Sequence, residues 1–142
     1  MIAGLSRDFP RLNKSTKPTS PATPVYNCIA YALGQVDRWW WPHHDAHWPL
    51  ACPLEETIPV FQAAFRVFGY EKCENDQLEI GYEKIALYAK DNKPTHAARQ
   101  LSNGRWTSKC GQNVDIEHKL RELEGKKYGK VAMYFRRPRA GS

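Results

Sequence analysis

The sequence predicts an α+β domain with N-terminal helices packed on an antiparallel sheet. Three observations carry that prediction. In "TIPVFQAAFRVFGY" the apolar residues recur at three- and four-residue spacing, the period of a helix with one buried face. From about residue 83 the pattern changes to strand-like runs. Between two of these runs lies Asn103-Gly104, a strong hairpin signal because both residues tolerate positive φ. The 142 residues suffice for one hydrophobic core, and 42% hydrophobic with 25% charged residues is the balance of a globular chain.

Residues 1–25 read as an irregular arm, with four prolines and few periodic apolar positions. Residues 26–142 read as a single domain. The first helix is expected to start at Asn27, a good cap, and to stop at Gly34, with Ala30, Ala32 and Leu33 as helix formers. "DRWWWPHHDAHWPLACP" is too rich in Pro, Trp and His for a regular element; so long a loop is expected to be functional or packed over a site. The second helix has Ile58, Phe61, Phe65 and Phe68 on one face, Thr57 as cap, Pro59 in the first turn and Gly69 at the end. "YEKCENDQLEIGYEK" reads as a solvated turn region with Cys73 half-buried. "KIALYAK" follows as a strand, then a turn at "DNKP", and then "THAARQL" and "RWTSKC" as strands around "SNG". "DIEHKLRELEG" returns to helical spacing through Ile116, Leu120 and Leu123, with Asp115 as cap and Gly125 as stop. "GKVAMYFRRP" is the last strand.

Net charge is +6, from 21 basic and 15 acidic residues. Much of the excess lies at the ends, in Arg7, Arg11, Lys14 and Lys17 and in Arg136, Arg137 and Arg139. Such a field suits nucleic acid, cell-wall polymer or an anionic partner equally. With no Gly-rich phosphate loop, no finger spacing and no basic helical stripe, nucleic-acid binding is a minor reading. No apolar run approaches the roughly 18 residues of a membrane span, and no secretory signal opens the chain, so the cytoplasm is the default expectation and signal-independent export the other route. The four scattered cysteines, Cys28, Cys52, Cys73 and Cys110, are then expected to be reduced.

Two residues stand out chemically. Cys28 follows the expected cap Asn27, so the helix dipole and free backbone N–H groups would favour a thiolate and supply part of an oxyanion hole. A cysteine at a helix start is also commonly plain core. His96, opening the strand "THAARQL" after Pro94 and Thr95, is the histidine placed to act as its base and acid.

A helix-start cysteine followed much later by a histidine that begins an antiparallel strand resembles the papain-like cysteine hydrolases. The likeness is to their compact bacterial branch of cell-wall amidases and endopeptidases, and "HAARQLSNGRWTSK" has the shape of their histidine hairpin. The blocks "YNCIAYALG", "GYEKIALYA", "THAARQL", "GRWTSK", "DIEH" and "YGKVAMYFRRP" also look like a small uncharacterised bacterial domain family. The resemblance implies a papain-like fold and hydrolysis of an amide, peptide or isopeptide bond without cofactor or metal. It makes Cys28 the nucleophile, His96 the general base and acid, and Ser108 the residue that orients the imidazole. The chain departs from the family in having Asn27-Cys28-Ile29-Ala30 at the nucleophile and a serine where many members carry His, Asn or Asp.

Hairpin register decides whether Ser108 can serve. A two-residue loop pairs Leu101 with Trp106 and puts Ser108 on the face opposite His96. A three-residue loop with Gly104 left-handed pairs Leu101 with Arg105, sets His96 opposite Cys110, and brings Ser108 to the same face. The sequence leaves both open, and Asp115 is the other candidate orienter. Asn27 and Trp41 are expected at the oxyanion and substrate sites, and Arg99 beside His96 is a further contact. His43, His44, His47 and Cys52 match no common zinc spacing, so a metal there is the weakest reading. A peptide or protein substrate is the expected partner, a cell-wall peptide among them. The alternative is a non-catalytic binding module on the same fold, using the Trp/His-rich loop and the basic tails.

Overall fold

A computed structural model of the chain describes residues 17–18, 26–34, 39–49, 52–109 and 115–139. The strands are β1 (Lys17–Pro18), β2 (Glu71–Cys73), β3 (Tyr82–Lys90), β4 (Lys93–Gln100), β5 (Trp106–Lys109), β6 (Asp115–His118) and β7 (Lys130–Pro138). The helices are α1 (Cys28–Ala32) and α2 (Ile58–Val67), with a short 3-10 helix at Leu120–Leu123. The seven strands form one sheet in the order β1-β6-β5-β4-β3-β7-β2. Every paired neighbour is antiparallel. The fold is therefore mixed α+β, as expected, with both helices on one face. Most of the expected arm, and Cys110, lie outside the described residues. No helix among the described residues is long and apolar enough to cross a membrane.

Alternation along the central strands builds two cores. Ile85, Leu87, Ala97 and Phe135 face the helices, where they meet Ile29, Ala30, Phe61 and Phe65. Ala86, Tyr88, Ala98, Trp106 and Ile116 face the other way and are covered by Leu120, Leu123 and Tyr128. Thr57 caps α2 as predicted, accepting the Val60 N–H at 3.3 Å. The β3–β4 turn has positive φ at both Asp91 (52°) and Asn92 (66°), as a tight two-residue hairpin requires.

The segment "DIEHKLRELEG" is not one helix. Asp115–His118 is a strand on β5, so Asp115 pairs with Lys109 and does not cap a helix. Ile116 and His118 alternate onto the second core, while Glu117 turns to the other face and meets Arg105 at 2.8 Å. Leu120 and Leu123, three apart, suit a 3-10 turn, whose first carbonyl accepts the Tyr88 hydroxyl at 2.7 Å. The same 3.6-like spacing is thus shared between a strand and a tight turn.

The other departure is β2, read from the sequence as turn. Its exposed Glu71 and Lys72 hide the alternation, and pairing with Tyr134–Arg136 of β7 supplies the strand. The loop after it is tied down by Lys84. This lysine is fully buried, with its Nζ 2.9 Å from Glu79 Oε1 and 3.1 Å from Asn75 Oδ1.

Candidate functional site

Asn27 organises the start of α1. Its backbone is extended and its Oδ1 accepts the Ala30 N–H at 3.2 Å, the predicted cap. The same oxygen accepts the Trp40 N–H at 3.0 Å, and Nδ2 donates to the Trp40 carbonyl at 2.6 Å. One buried side chain therefore joins the helix start to the Trp-rich loop. The hydrogen bonds it makes are structural, and the residue also lines the cavity on which Cys28 lies. Asn27→Ala removes the cap and leaves two buried Trp40 backbone groups unsatisfied. The expected loss is about 3 kcal/mol, a fall in Tm of roughly 6–12 °C. A thermal melt checks this, and a shift under about 2 °C would contradict it.

Cys28 lies on the wall of a cavity of about 330 Å³ lined by Asn27, Cys28, Trp39, Trp41, Thr95, Lys127 and Tyr128. The sulfur faces the N–H of Ala97, the peptide that joins His96 to Ala97. The thiol is not lowered as the helix-start position suggested. Burial pushes it up to about 11, against smaller opposing effects of backbone N–H groups and the charge of Lys109. A helix of five residues has too few aligned peptides to outweigh that burial.

His96 is fully buried on the second core, opposite Tyr88 in the ladder. Its ring stacks on Tyr128 at 4.1 Å and meets Tyr88 edge-on at 5.3 Å. Neither ring nitrogen has a hydrogen-bond partner, so no hydrogen bond joins it to Cys28. Burial, and secondarily His118, holds its pKa well below the ordinary histidine value. Tyr128 links the two residues: it shares the cavity wall with Cys28 and covers the imidazole of His96.

The hairpin takes the longer of the two loops. Leu101 N–H donates to the Arg105 carbonyl at 2.7 Å, Gly104 has φ +85°, and Arg99 pairs with Thr107. That register puts Ser108 on the face of His96, yet its hydroxyl is committed elsewhere, 2.6 Å from His118 Nε2. Since the Lys119 carbonyl can only accept, His118 Nδ1 carries a proton (2.8 Å) and Nε2 accepts from Ser108. Burial lowers the His118 pKa to about 4. Ser108 therefore does not orient His96 in this structure. Arg99 also lies away from the cavity, its guanidinium 5.3 Å from the Tyr31 ring centroid.

The Trp/His loop divides between packing and lining. Trp40 and Trp48 are buried, against Phe68 and Phe61 respectively, whereas Trp39 and Trp41 line the cavity. His47 packs on Trp40 and Cys52 is buried, so the weak four-residue metal set is not assembled. His43 and His44 sit instead with Asp45 at an exposed tip.

Sequence reasoning missed Thr95, Lys127, Tyr128, His118 and the fully buried Lys109. Thr95 and Lys127 announce themselves only through topology. The sequence signal that was available for Tyr128 is "GKKYGK", a turn bracketed by Gly125 and Gly129, which bond to each other through both backbone N–H groups.

A family model described as a domain of unknown function (DUF7689) matches residues 17–136, from the start of β1 to near the end of β7. The chain belongs to this family. No curated protein and no solved structure matches it. The family match takes in Cys28, His96 and every residue lining the cavity.

Proposed function

We propose that this chain is a papain-like cysteine hydrolase acting on an amide, peptide or isopeptide bond. The observation that carries the proposal is the position of Cys28, a helix-start thiol on a cavity wall and against the peptide that bears His96. In the reaction His96 takes the thiol proton and the sulfur attacks the substrate carbonyl carbon. The oxyanion forms beside backbone N–H groups at the start of α1. His96 then returns its proton to the leaving amine, and water cleaves the thioester to release the acid and restore the thiol. Two features set conditions on this chemistry. The thiol is protonated in the resting structure, and Cys28 packs in the helix-side core whereas His96 faces the opposite core under Tyr128, so β4 itself must rearrange for the pair to meet. Lys109 offers a fixed positive charge that favours the thiolate once it forms.

The test is labelling of the intact protein by a peptidyl electrophile, read by mass spectrometry. One adduct is expected at Cys28 and none in Cys28→Ala. Labelling that persists unchanged in that variant would overturn the assignment.

A binding module on the same fold is the second reading. It is favoured by the unmade Cys28–His96 hydrogen bond and by the raised thiol pKa. Trp39 and Trp41 would then be the working surface, and a Cys28→Ala variant would retain all activity.

A further inference from the structure

We propose that the segment accepted by this cavity is an acidic peptide, held by a rim of lysines at the end of the sheet beside it; this rests on reading the cavity as a peptide site. Two turns meet there. Lys90 and Lys93 face each other across the β3–β4 turn. Lys126 and Lys127 lie in the turn between Gly125 and Gly129, and Lys130 pairs with Ala89 as β7 begins. The turns are packed together: Lys90 Nζ donates to the Lys126 carbonyl at 2.6 Å, and Gly129 approaches Ala89 so closely that a Cβ would lie 2.1 Å from its carbonyl oxygen. All five lysines are exposed, and Asp91 is the one acidic residue on the two turns.

The rim is continuous with the cavity, because Lys127 and Tyr128 of the same turn line it and Thr95 Oγ1 donates to the Tyr128 carbonyl at 2.5 Å. Basic side chains gathered at a cavity mouth raise the local concentration of an anionic ligand. The arrangement is a compact knot on two turns. A single-stranded nucleic acid is held along an extended basic groove that tracks its backbone, whereas these five lysines are confined to two turns at one end of the sheet. A short peptide with carboxylates beside the segment that enters the cavity matches the sign of the rim.

The experiment uses full-length protein carrying Cys28→Ala and measures fluorescence anisotropy at low salt. The probes are a fluorescein-labelled peptide of alternating Glu and Ala, its Gln counterpart, and a labelled oligothymidylate of equal length. The Glu peptide is expected to bind about tenfold or more tighter than the Gln peptide, and to weaken steeply as salt is added. Combining K90E, K93E and K126E should cost about tenfold or more, while the corresponding Lys→Arg changes should retain binding. Equal binding of the Glu and Gln peptides, or no effect of charge reversal, would overturn the proposal. Tighter binding of the oligothymidylate would overturn it in favour of nucleic acid. Failure of Cys28 labelling leaves these outcomes untouched, so the two proposals fail separately.

Discussion

Gly129→Ala is expected to destabilise the fold by about 4 kcal/mol, at the severe end of single substitutions. Gly129 has φ +76°, and an added Cβ would stand 2.1 Å from the Ala89 carbonyl oxygen and 2.8 Å from its carbon. Those atoms are backbone of the pair that closes the β3–β7 ladder, Ala89 with Lys130, so neither can yield without breaking that pair. Gly104→Ala is the control. Its φ is +85°, but nothing lies within 4 Å of the added atom. The cost there should be only the conformational one, about 1–2 kcal/mol. Urea unfolding of both variants separates the clash from the conformational strain. Equal losses would show that Ala89 does not hold the turn against β3.

The second large effect is acid lability between about pH 6.5 and pH 4. His118 titrates at about 4 in the folded chain, against an ordinary value of 6.5. Its folded pKa is depressed, so its contribution is fully present above the unfolded value and is lost as pH falls through the folded one. Below pH 6.5 the unfolded chain takes up a proton that the folded chain refuses. Over this window the loss is about 3 kcal/mol for His118 alone, and His96 acts in the same direction. Unfolding free energies measured across this range should fall with acid, and His118→Gln should flatten the slope. An unchanged slope in that variant would remove His118 from the account.

Both effects arise from residues that sequence patterning did not single out, and the reason is physical. Local signals act within a few residues: the caps at Asn27 and Thr57 and the Phe61–Phe65 face are present as read, and a hairpin does turn at Asn103-Gly104, with Gly104 alone of the two at positive φ. Contacts between distant elements leave no such local trace. Tyr128 reaches His96 only because β4 and the turn before β7 meet at one sheet end. His118 takes the Ser108 hydroxyl only because β6 pairs with β5 in one of several possible registers. The helix predicted through Ile116, Leu120 and Leu123 failed for the same reason. Spacing of three and four residues describes a helix face, but it also fits a strand followed by a 3-10 turn once β5 offers an edge. At the candidate site, Asn27, Cys28 and Trp41 were legible from sequence and share the cavity, whereas Thr95, Lys127 and Tyr128 joined them through topology.

The proposed hydrolase turns on whether His96 can activate Cys28. The decisive measurement is the rate of Cys28 alkylation by iodoacetamide as a function of pH, in the native chain and in His96→Gln. An isolated buried thiol at about 11 would be thiolate in only about one molecule in ten thousand at neutral pH. The account predicts a component of the rate near neutral pH that depends on His96 and disappears in His96→Gln. A single rise near pH 11, identical in both proteins, would contradict it and leave the chain a binding module.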